Sequence, residues 1–583
     1  MEATPSAAPA ATSSGSRWSI ASLVPGAAAL ASYDRSWLPI DILAGLTLWG
    51  LLMPEAMAYS GIAGLPPSAG LYTLVPALLV YALFGTSRQL SIGATSGTAA
   101  VLASSLVAFG FATSDPAAYA TAAASLVLVV GAVFVLAGIL RLGFITQFIS
   151  EPVMAGFVTG LATFIAVGQL NKLLGVAKPS GNTVEQLIGI VKSIPETNLA
   201  TFAVGAVALA LLFGLPLVNK RLPAGLIVLF GSIAVSSALN LAANYGVTIG
   251  GPLPQGLPTP KMPSTSLEQL LSFTLPAMGI VLVGFSEALG AAREFADRHG
   301  YRIDPNAELR AHGLANMGSA LFGGMVAGGG MSATAVNDGA GARSTLSLVA
   351  AWVAVVATLL VLTPLFTSLP EAVLAALIIH AVWHLIASRK LQRFRSISTE
   401  EWALGLVAFF GVVLFNVITG MVVGIIAAIG LVAYRVSAPH FARLGRDSRT
   451  GEWLDLARHP DAVEEPGIMV VRLNGPIVYP NAQSARDAIS ALVRSTGKSV
   501  YGLVLEAGAQ DSIDVTAADS LGALVKDLDK DGVHVVFADM RARVRVHLEQ
   551  THLVAAPSED YQRTVDDAVA VLRARGRDTG GKG

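Results

Sequence analysis

Cysteine is absent from the 583-residue sequence, which excludes disulfide bonds, thiolate chemistry and cysteine-ligated metal. Charge is scarce too, because 13% of the residues are Asp, Glu, Lys or Arg, whereas soluble domains have about a quarter. The net charge of −1 argues against a nucleic-acid partner. Apolar residues make up 53% of the chain and the mean hydropathy is +0.62, so we predict an α-helical membrane protein with many spans.

The beginning of the chain lacks the features of a signal peptide. The stretch "MEATPSAAPAATSSGS" has no basic region and no apolar core, and its composition is typical of disorder. We therefore predict a disordered cytoplasmic segment over 1–36 and a disordered tail over 576–583. The Ala-rich composition suggests a bacterial protein of the inner membrane.

Hydrophobic segments follow one another from 37 to 437, the predicted membrane domain. A span needs about 20 apolar residues. We count roughly fourteen candidate segments: 38–60, 70–86, 92–110, 120–140, 146–171, 199–217, 223–245, 272–292, 308–323, 331–342, 345–367, 371–387, 401–416 and 418–436. Basic residues concentrate in alternate connecting loops, which predicts that both termini are cytoplasmic.

The composition changes after the last hydrophobic segment. A polar linker is expected over 438–465, followed by a soluble α/β domain over 466–575. The stretches "IMVVRL", "GLVLEA" and "VHVVFAD" have the pattern of strands, and helical patterns lie between and after them. About 110 residues suffice for one domain.

The first hydrophobic segment contains a proline beside a carboxylate, in "LLMPEAMAYSGIAGLPP". A carboxylate in mid-membrane costs roughly 2.5–3.5 kcal/mol, so Glu55 is expected to face the protein interior or a wet cavity. Pro54 and the Gly and Pro residues after it predict a broken helix, which a bilayer tolerates where the helix lines a cavity. Glu55 and Tyr59 share one helix face. The alternative is a kinked helix whose glutamate lies between helices.

Two stretches rich in small residues interrupt the third and tenth segments. They are "RQLSIGATSGTAA" and "GGMVAGGGMSATAVNDGAGARS". Such segments at matching positions of two halves point to a transporter binding site, where two half-helices aim their N-termini at an anion. Close packing of small residues is the alternative. The candidate substrate-binding residues are Glu55, Tyr59, Thr95, Ser96, Gly97, Gly330, Met331, Ser332 and Ala333.

A second glutamate, Glu287, lies in the middle of the eighth segment, the counterpart of the first segment in a seven-plus-seven arrangement. Two ionised carboxylates would repel an anion, and burial disfavours an ionised carboxyl group. We therefore predict that Glu55 and Glu287 couple proton binding to anion binding. An ion pair between Glu287 and Arg293 is the alternative.

Other ionisable groups carry weaker signals. His380 and His384 share a helix face, but the sequence offers no third ligand, so no metal site is predicted. Asp338 and Arg343 are expected to form a gate or an ion pair. No grouping of serine, histidine and carboxylate predicts an enzyme, and no cofactor is expected.

At this point the motifs resemble a family. "PEAMAYSGIAGLPPSAGLYT", "GTSRQLSIGATSG" and "SATAVNDGAGARS" are similar to three signatures of the SulP anion transporters, also called solute carrier family 26, and the C-terminal domain is similar to their STAS domain. The resemblance implies fourteen spans in a seven-plus-seven inverted repeat, with a core domain that slides against a gate domain. It also implies a homodimer in the lipid membrane that transports sulfate, bicarbonate, chloride, oxalate or dicarboxylates.

Departures from the family pattern bear on coupling and substrate. Many members have Gln at the position of Glu55. Plant sulfate/proton symporters of the family have Glu at the position of Glu287, as this chain does. The arginine that often follows the serine of the tenth span is Ala333 here, which weakens the case for a divalent anion. Sodium-coupled members have Asp and Thr where this chain has Glu287 and Ala291, so coupling to protons is expected rather than coupling to Na⁺.

The C-terminal domain contains "DSIDVTAADS", which resembles the phosphorylation loop of STAS proteins. We expect Thr516 to cap the following helix, and regulatory phosphorylation of Thr516 is the alternative. Taken together, the sequence predicts a proton-coupled importer of sulfate or a related oxyanion. A bicarbonate or C4-dicarboxylate transporter, an uncoupled anion channel, a nucleobase permease and a membrane-tethered signalling protein are the other readings.

Overall fold

The structure is a computed structural model that describes residues 24–31, 33–111, 113–144, 150–179, 181–219, 224–250, 253–386, 390–415, 417–438, 440–495, 500–550 and 560–580. It divides into two compact units, Met1–Ala428 and Ile429–Gly583.

The first unit is helical. Its helices in chain order are α1 (Pro25–Ala31), α2 (Leu38–Ile62), α3 (Pro67–Phe84), α4 (Ser96–Ala108), α5 (Pro116–Ile139), α6 (Glu151–Leu174), α7 (Thr183–Ser193), α8 (Leu199–Val218), α9 (Ala224–Leu239), α10 (Leu241–Tyr245), α11 (Leu267–Ser272), α12 (Thr274–Arg298), α13 (Pro305–Leu321), α14 (Met331–Gly339), α15 (Leu346–Ala357), α16 (Glu371–Ile386), α17 (Lys390–Ile397), α18 (Thr399–Leu414) and α19 (Val417–Ser437). Two short strands, β1 (Ile92–Ala94) and β2 (Ala327–Gly329), directly precede α4 and α14.

Eight of the described helices are long and apolar enough to cross a membrane, and three more are apolar but shorter. A helix overlaps each of the fourteen predicted segments. The helical membrane fold is as predicted, whereas the count of fourteen spans stays a prediction.

The first span is less broken than the sequence suggested. α2 continues through Pro54 and ends at Ile62, and two residues later Gly64 adopts a positive φ of 74°. Proline lacks an N–H and interrupts one backbone hydrogen bond without ending this helix. The segment predicted to be disordered over 1–36 contains α1 and the start of a 3₁₀ turn, Arg35–Trp37, and its residues 1–23 lie outside the described part.

The strands β1 and β2 join the two small-residue stretches. They pair antiparallel, with Ile92 opposite Gly329 and Ala94 opposite Ala327. A side chain on Gly329 would lie 2.8 Å from the Cβ of Ala288 in α12, so only glycine lets β2 approach α12 this closely. This pairing brings the starts of α4 and α14 together, and it places α12 beside them.

The second unit contains a six-stranded sheet in the order β4-β3-β5-β6-β7-β8. Its elements are β3 (Phe441–Arg446), β4 (Trp453–Asp455), β5 (Ile468–Leu473), α20 (Ala482–Ser495), β6 (Gly502–Glu506), α21 (Val515–Lys530), β7 (His534–Ala538), α22 (Ala542–Gln550), β8 (Tyr561–Gln562) and α23 (Val565–Gly580). The strands β5 to β8 are parallel, and apolar clusters lie on both faces of the sheet. This is the predicted α/β domain.

The structure differs from the predicted boundaries of this domain. The expected linker over 438–465 contains β3 and β4, because β3 pairs antiparallel with the free edge of β5. The predicted disordered tail begins inside α23, which extends to Gly580, and 581–583 lie outside the described residues.

Candidate functional site

A small cavity of about 50 Å³ lies where the half-helices α4 and α14 begin. Residues from α2, β1, β2, α12 and α16 complete its lining. Of the residues singled out from the sequence, those that line the small cavity are Glu55, Tyr59, Thr95, Ser96, Glu287, Gly330, Met331, Ser332 and Ala333. The structure therefore brings together residues that are up to 278 positions apart, Glu55 and Ala333.

The half-helices present their N-terminal ends to the small cavity. Thr95 caps α4 by accepting a hydrogen bond from the backbone N–H of Thr98, at 3.4 Å. Gly330 occupies the corresponding position before α14 and provides no side-chain cap. The first N–H groups of a helix have no partner within the helix, and they carry the positive end of the helix dipole. The small cavity therefore suits an anionic group.

Gly97 is the one predicted binding residue that does not line the small cavity. A side chain there would lie 3.3 Å from Oε2 of Glu287, so Gly97 leaves room for this carboxyl group beside the start of α4. Glu287 itself is partly exposed to the small cavity, while its neighbours Ala288 and Phe285 are buried.

Glu55 and Tyr59 lie on the face of α2 that borders the small cavity, as the spacing of four predicted. Tyr59 is 6% exposed, and Glu55 is partly exposed. Both glutamates thus share one cavity with two helix N-termini. Among the described residues that line this cavity there is no Lys, Arg or His.

A larger cavity of about 380 Å³ shares Glu55, Tyr59, Ser332 and Ala381 with the small one. It extends along α2 toward the N-terminal end of that helix, as far as Thr47. The two cavities are therefore adjacent.

Two ion-pair interpretations of the sequence did not hold. Among the described residues, no ion pair joins Glu287 to Arg293. Asp338 pairs with Arg298 at 3.0 Å and with His299 at 2.5 Å, both at the end of α12, instead of with Arg343. The backbone N–H of Arg343 donates to the buried carboxylate of Asp41, which holds the start of the loop before α15.

Sequence reasoning missed the contribution of α16. Ala381 and Leu385 line the small cavity, and His380 lines the larger one. The two aliphatic residues carry no signal that separates them from the rest of an apolar helix. The sequence suggested no role for His380 other than that of a metal ligand. Among the described residues, no group of three or more His, Cys, Asp or Glu side chains could hold a metal ion. The side chain of His384 lies outside the described part.

The capping role expected of Thr516 belongs to Asp514. Its carboxylate accepts hydrogen bonds from the N–H of Ala517, at 2.9 Å, and from the N–H of Tyr479, at 2.6 Å. Thr516 lies in the first turn of α21 and is exposed.

Comparison with known proteins decides the family. Residues 38–408 match the sulfate permease family, and residues 459–568 match the STAS domain. This chain belongs to the sulfate permease family. It is 34% identical, over 94% of its length and 98% of the relative, to a probable sulfate transporter of Mycobacterium tuberculosis. Members of the sulfate permease family are membrane-spanning anion transporters and not enzymes, as the sequence predicted for this chain.

Two solved structures share the fold of this sulfate permease family member. The murine Solute Carrier 26 family member A9 anion transporter, in the inward-facing state, aligns with a TM-score of 0.89 at 23% identity, covering 97% of this chain and 96% of that one. The transmembrane domain of the cyanobacterial bicarbonate transporter BicA aligns with a TM-score of 0.58 at 24% identity, covering 68% of this chain and 99% of that one.

Proposed function

We propose that this chain imports a small oxyanion across the cytoplasmic membrane together with protons, and that sulfate is its first candidate substrate. The supporting observation is that the N-termini of α4 and α14, together with Glu55 and Glu287, border one small cavity. The mycobacterial relative named as a probable sulfate transporter also favours sulfate.

The charges around the small cavity support proton coupling. The helix N-termini supply positive potential, but two ionised glutamates would cancel it and repel an anion through a medium of low dielectric constant. A proton on Glu55 or Glu287 removes one negative charge at the moment when the anion arrives. The anion and the proton then enter together and leave together, which is symport. Coupling to Na⁺ is the less favoured proposal.

The larger cavity is lined by two separate groups of helices, which is the arrangement that an elevator-type movement requires. Residues of α2 and α14 lie on one side of the proposed path, and the remaining lining residues come from α8, α9 and α16. We propose that the half-helices with α2 and α12 move as the core domain against a gate domain that includes α16. A homodimer with both termini in the cytoplasm is expected from the family resemblance and the charge pattern.

Bicarbonate is the second candidate, for a specific reason. The described residues that line the small cavity include no Lys or Arg, and Ala333 stands where many family members have arginine. Without a fixed cation, the site offers less compensation for a second negative charge on the substrate.

Uptake by the full-length protein in proteoliposomes tests this proposal. Labelled sulfate, bicarbonate and succinate are each offered with and without an inward proton gradient. We expect accumulation of one oxyanion above equilibrium only when the gradient is present. Uptake of succinate alone would identify the substrate as a C4-dicarboxylate instead of an oxyanion. A conductance that rises linearly with voltage without saturation would identify a channel.

The Glu287→Gln variant tests the coupling residue. It removes the titratable group with little change of shape, so accumulation driven by the proton gradient should be lost while exchange of anion for anion continues. Ser286→Ala is the matched control, because among the described residues the hydroxyl of Ser286 bonds only within its own helix, to the carbonyl of Leu282 at 2.6 Å. Gradient-driven accumulation that survives Glu287→Gln would contradict the assignment.

A further inference from the structure

The α8/α9/α16 wall of the larger cavity is almost entirely apolar. This wall consists of Leu212, Ala224, Gly225, Leu226, Leu377, His380 and Ala381. His380 is its one polar side chain among the described residues. An anion that leaves the half-helices loses their N–H donors, and moving a charge into apolar surroundings without compensation is costly.

His380 lies close to the exit from the small cavity. Its neighbour in sequence, Ala381, lines both cavities, and Leu377, one turn earlier on the same helix face, lines the larger one. The imidazole is partly exposed, and the ring of Phe213 packs edge-on against it with the ring centroids 4.7 Å apart. This packing helps hold the side chain at the cavity surface.

Among the described residues, few charged groups lie on the elements around His380. α8 and α9 contain no acidic, basic or histidine residue in their described ranges. On α6, Lys172 pairs with Glu371 at 3.5 Å, in the first turn of α16, about 14 Å along the helix from His380. The acidic groups that face the larger cavity come from α2 and are Glu55 and, as a weak acid, Tyr59.

Histidine is the side chain that ordinarily changes charge nearest to neutral pH. Its protonated ring donates two N–H groups, and hydrogen bonds from a charged donor to an anion are about twice as strong as neutral ones. A protonated His380 would give the α8/α9/α16 wall a single cationic contact beside the route from the small cavity. Glu55, across the same cavity, is negatively charged when it has lost its proton, and it would then repel the anion rather than hold it.

We infer that His380, on the wall formed by α8, α9 and α16, is a second contact for the transported anion and receives it in protonated form as it leaves the half-helices. This inference rests on the proposed function. It assigns a substrate contact to the α8/α9/α16 wall, which contains neither half-helix. It also makes the affinity for the anion depend on the charge of the His380 imidazole, in a role separate from that of the glutamates that couple transport to the proton gradient.

The test measures the KM for labelled sulfate in proteoliposomes at equal pH on both sides, from mildly acidic to mildly alkaline. Sulfate keeps its charge over this range. For the wild-type chain we expect the KM to rise about five- to tenfold as the pH rises through the histidine range. Since proton binding to the glutamates also lowers the KM in acid, His380→Gln should have a higher KM than the wild type at the acidic end and a smaller rise with pH. His380→Lys should keep a low KM at the alkaline end. His547→Gln, which removes an exposed histidine of the C-terminal unit, is the matched control and should behave as wild type.

The outcomes separate this inference from the function on which it rests. A KM profile in His380→Gln equal to that of the wild type, with transport intact, overturns the inference alone. If His380→Gln loses transport altogether, a low KM at alkaline pH in His380→Lys supports the inference, and equal loss in both variants overturns it. Retained stimulation by a proton gradient in His380→Gln supports separate roles for His380 and Glu287. Absence of anion transport by the wild-type chain overturns both proposals.

Discussion

The half-helices that meet at the small cavity begin in different ways. α4 has a threonine cap, and the hydroxyl groups of Thr95 and Thr98 also lie 2.9 Å apart. α14 follows Gly330, which has no side chain to compete for its first N–H groups. The difference indicates that α14 leaves more of its backbone donors for a solute, while α4 satisfies one of its own.

The strand before α14 has a support of its own. Asn316 of α13 is fully buried, accepts a hydrogen bond from the N–H of Ala327 at 2.9 Å and donates one to its carbonyl at 2.8 Å. The same side-chain amide donates to the carbonyl of His312. The uncapped half-helix is therefore positioned through its strand, and the capped half-helix is stabilised at its own first turn.

The largest effect is expected for Asn316→Ala. Both polar backbone groups of Ala327 would stay buried without this partner, at a cost of about 2–4 kcal/mol. Sulfate uptake should fall more than tenfold, and the melting temperature of the purified protein should drop clearly. The control is Asn244→Ala, whose side chain bonds the carbonyl of Leu239 at an exposed position and should lose far less. Equal losses in the two variants would show that Asn316 has no special role in holding β2.

The next effect is expected for Gly330→Ser, which would give α14 the cap that it lacks. The new hydroxyl would take a hydrogen bond from the first turn and compete with the anion, so the KM for sulfate should rise about tenfold. Gly330→Ala separates size from capping, because a Cβ there would meet Thr95 and Ala333 at ordinary contact distances of 3.8 and 4.0 Å. Equal KM values for the serine and alanine variants would contradict the proposal that the first backbone N–H groups of α14 bind the substrate.

Thr95→Ala should act mainly on stability. Loss of a helix cap costs about 1 kcal/mol. The melting temperature should therefore fall slightly, and the KM should change less than in Gly330→Ser. A larger change of KM in Thr95→Ala would reverse the comparison and make α4 the main anion-binding helix.

The C-terminal domain provides a reference for the energy of a cap in the same chain. Asp514→Ala removes the carboxylate that bonds the N–H groups of Ala517 and Tyr479, so a loss of about 1–2 kcal/mol is expected. Thr516→Ala should stay within about 0.5 kcal/mol, because this side chain is exposed. Thermal denaturation of the full-length variants compares the two, and a greater loss for Thr516→Ala would restore the threonine as the cap.

Much of the site could be predicted because its local signals are strong. A Pro-Glu pair in an apolar run and two stretches of Gly, Ser and Thr are rare enough in a membrane segment to mark a cavity. The pairing of Gly93 with Gly328 could not be predicted from a single sequence, since it depends on a contact between residues 235 positions apart. The support from Asn316 depends on the same pairing.

The errors have a common physical cause. Asp514 and Thr516 are both good capping residues. Asp514 is the one used, because its carboxylate also accepts a hydrogen bond from the N–H of Tyr479 in another part of the domain. The segment Phe441–Arg446 contains glycine and two arginines and has little strand character of its own, yet it pairs with the edge of β5. In both cases a distant partner outweighs the local preference.

The pairing of β1 with β2 has a consequence for how solutes are discriminated. A backbone ladder ties together the two helix ends that border the small cavity, so neither can shift without taking its counterpart along. Their spacing is then the same whichever face of the membrane has access to them. The order of preference among competing ions, measured by inhibition from inside and from outside, should therefore be identical, even where the absolute affinities differ.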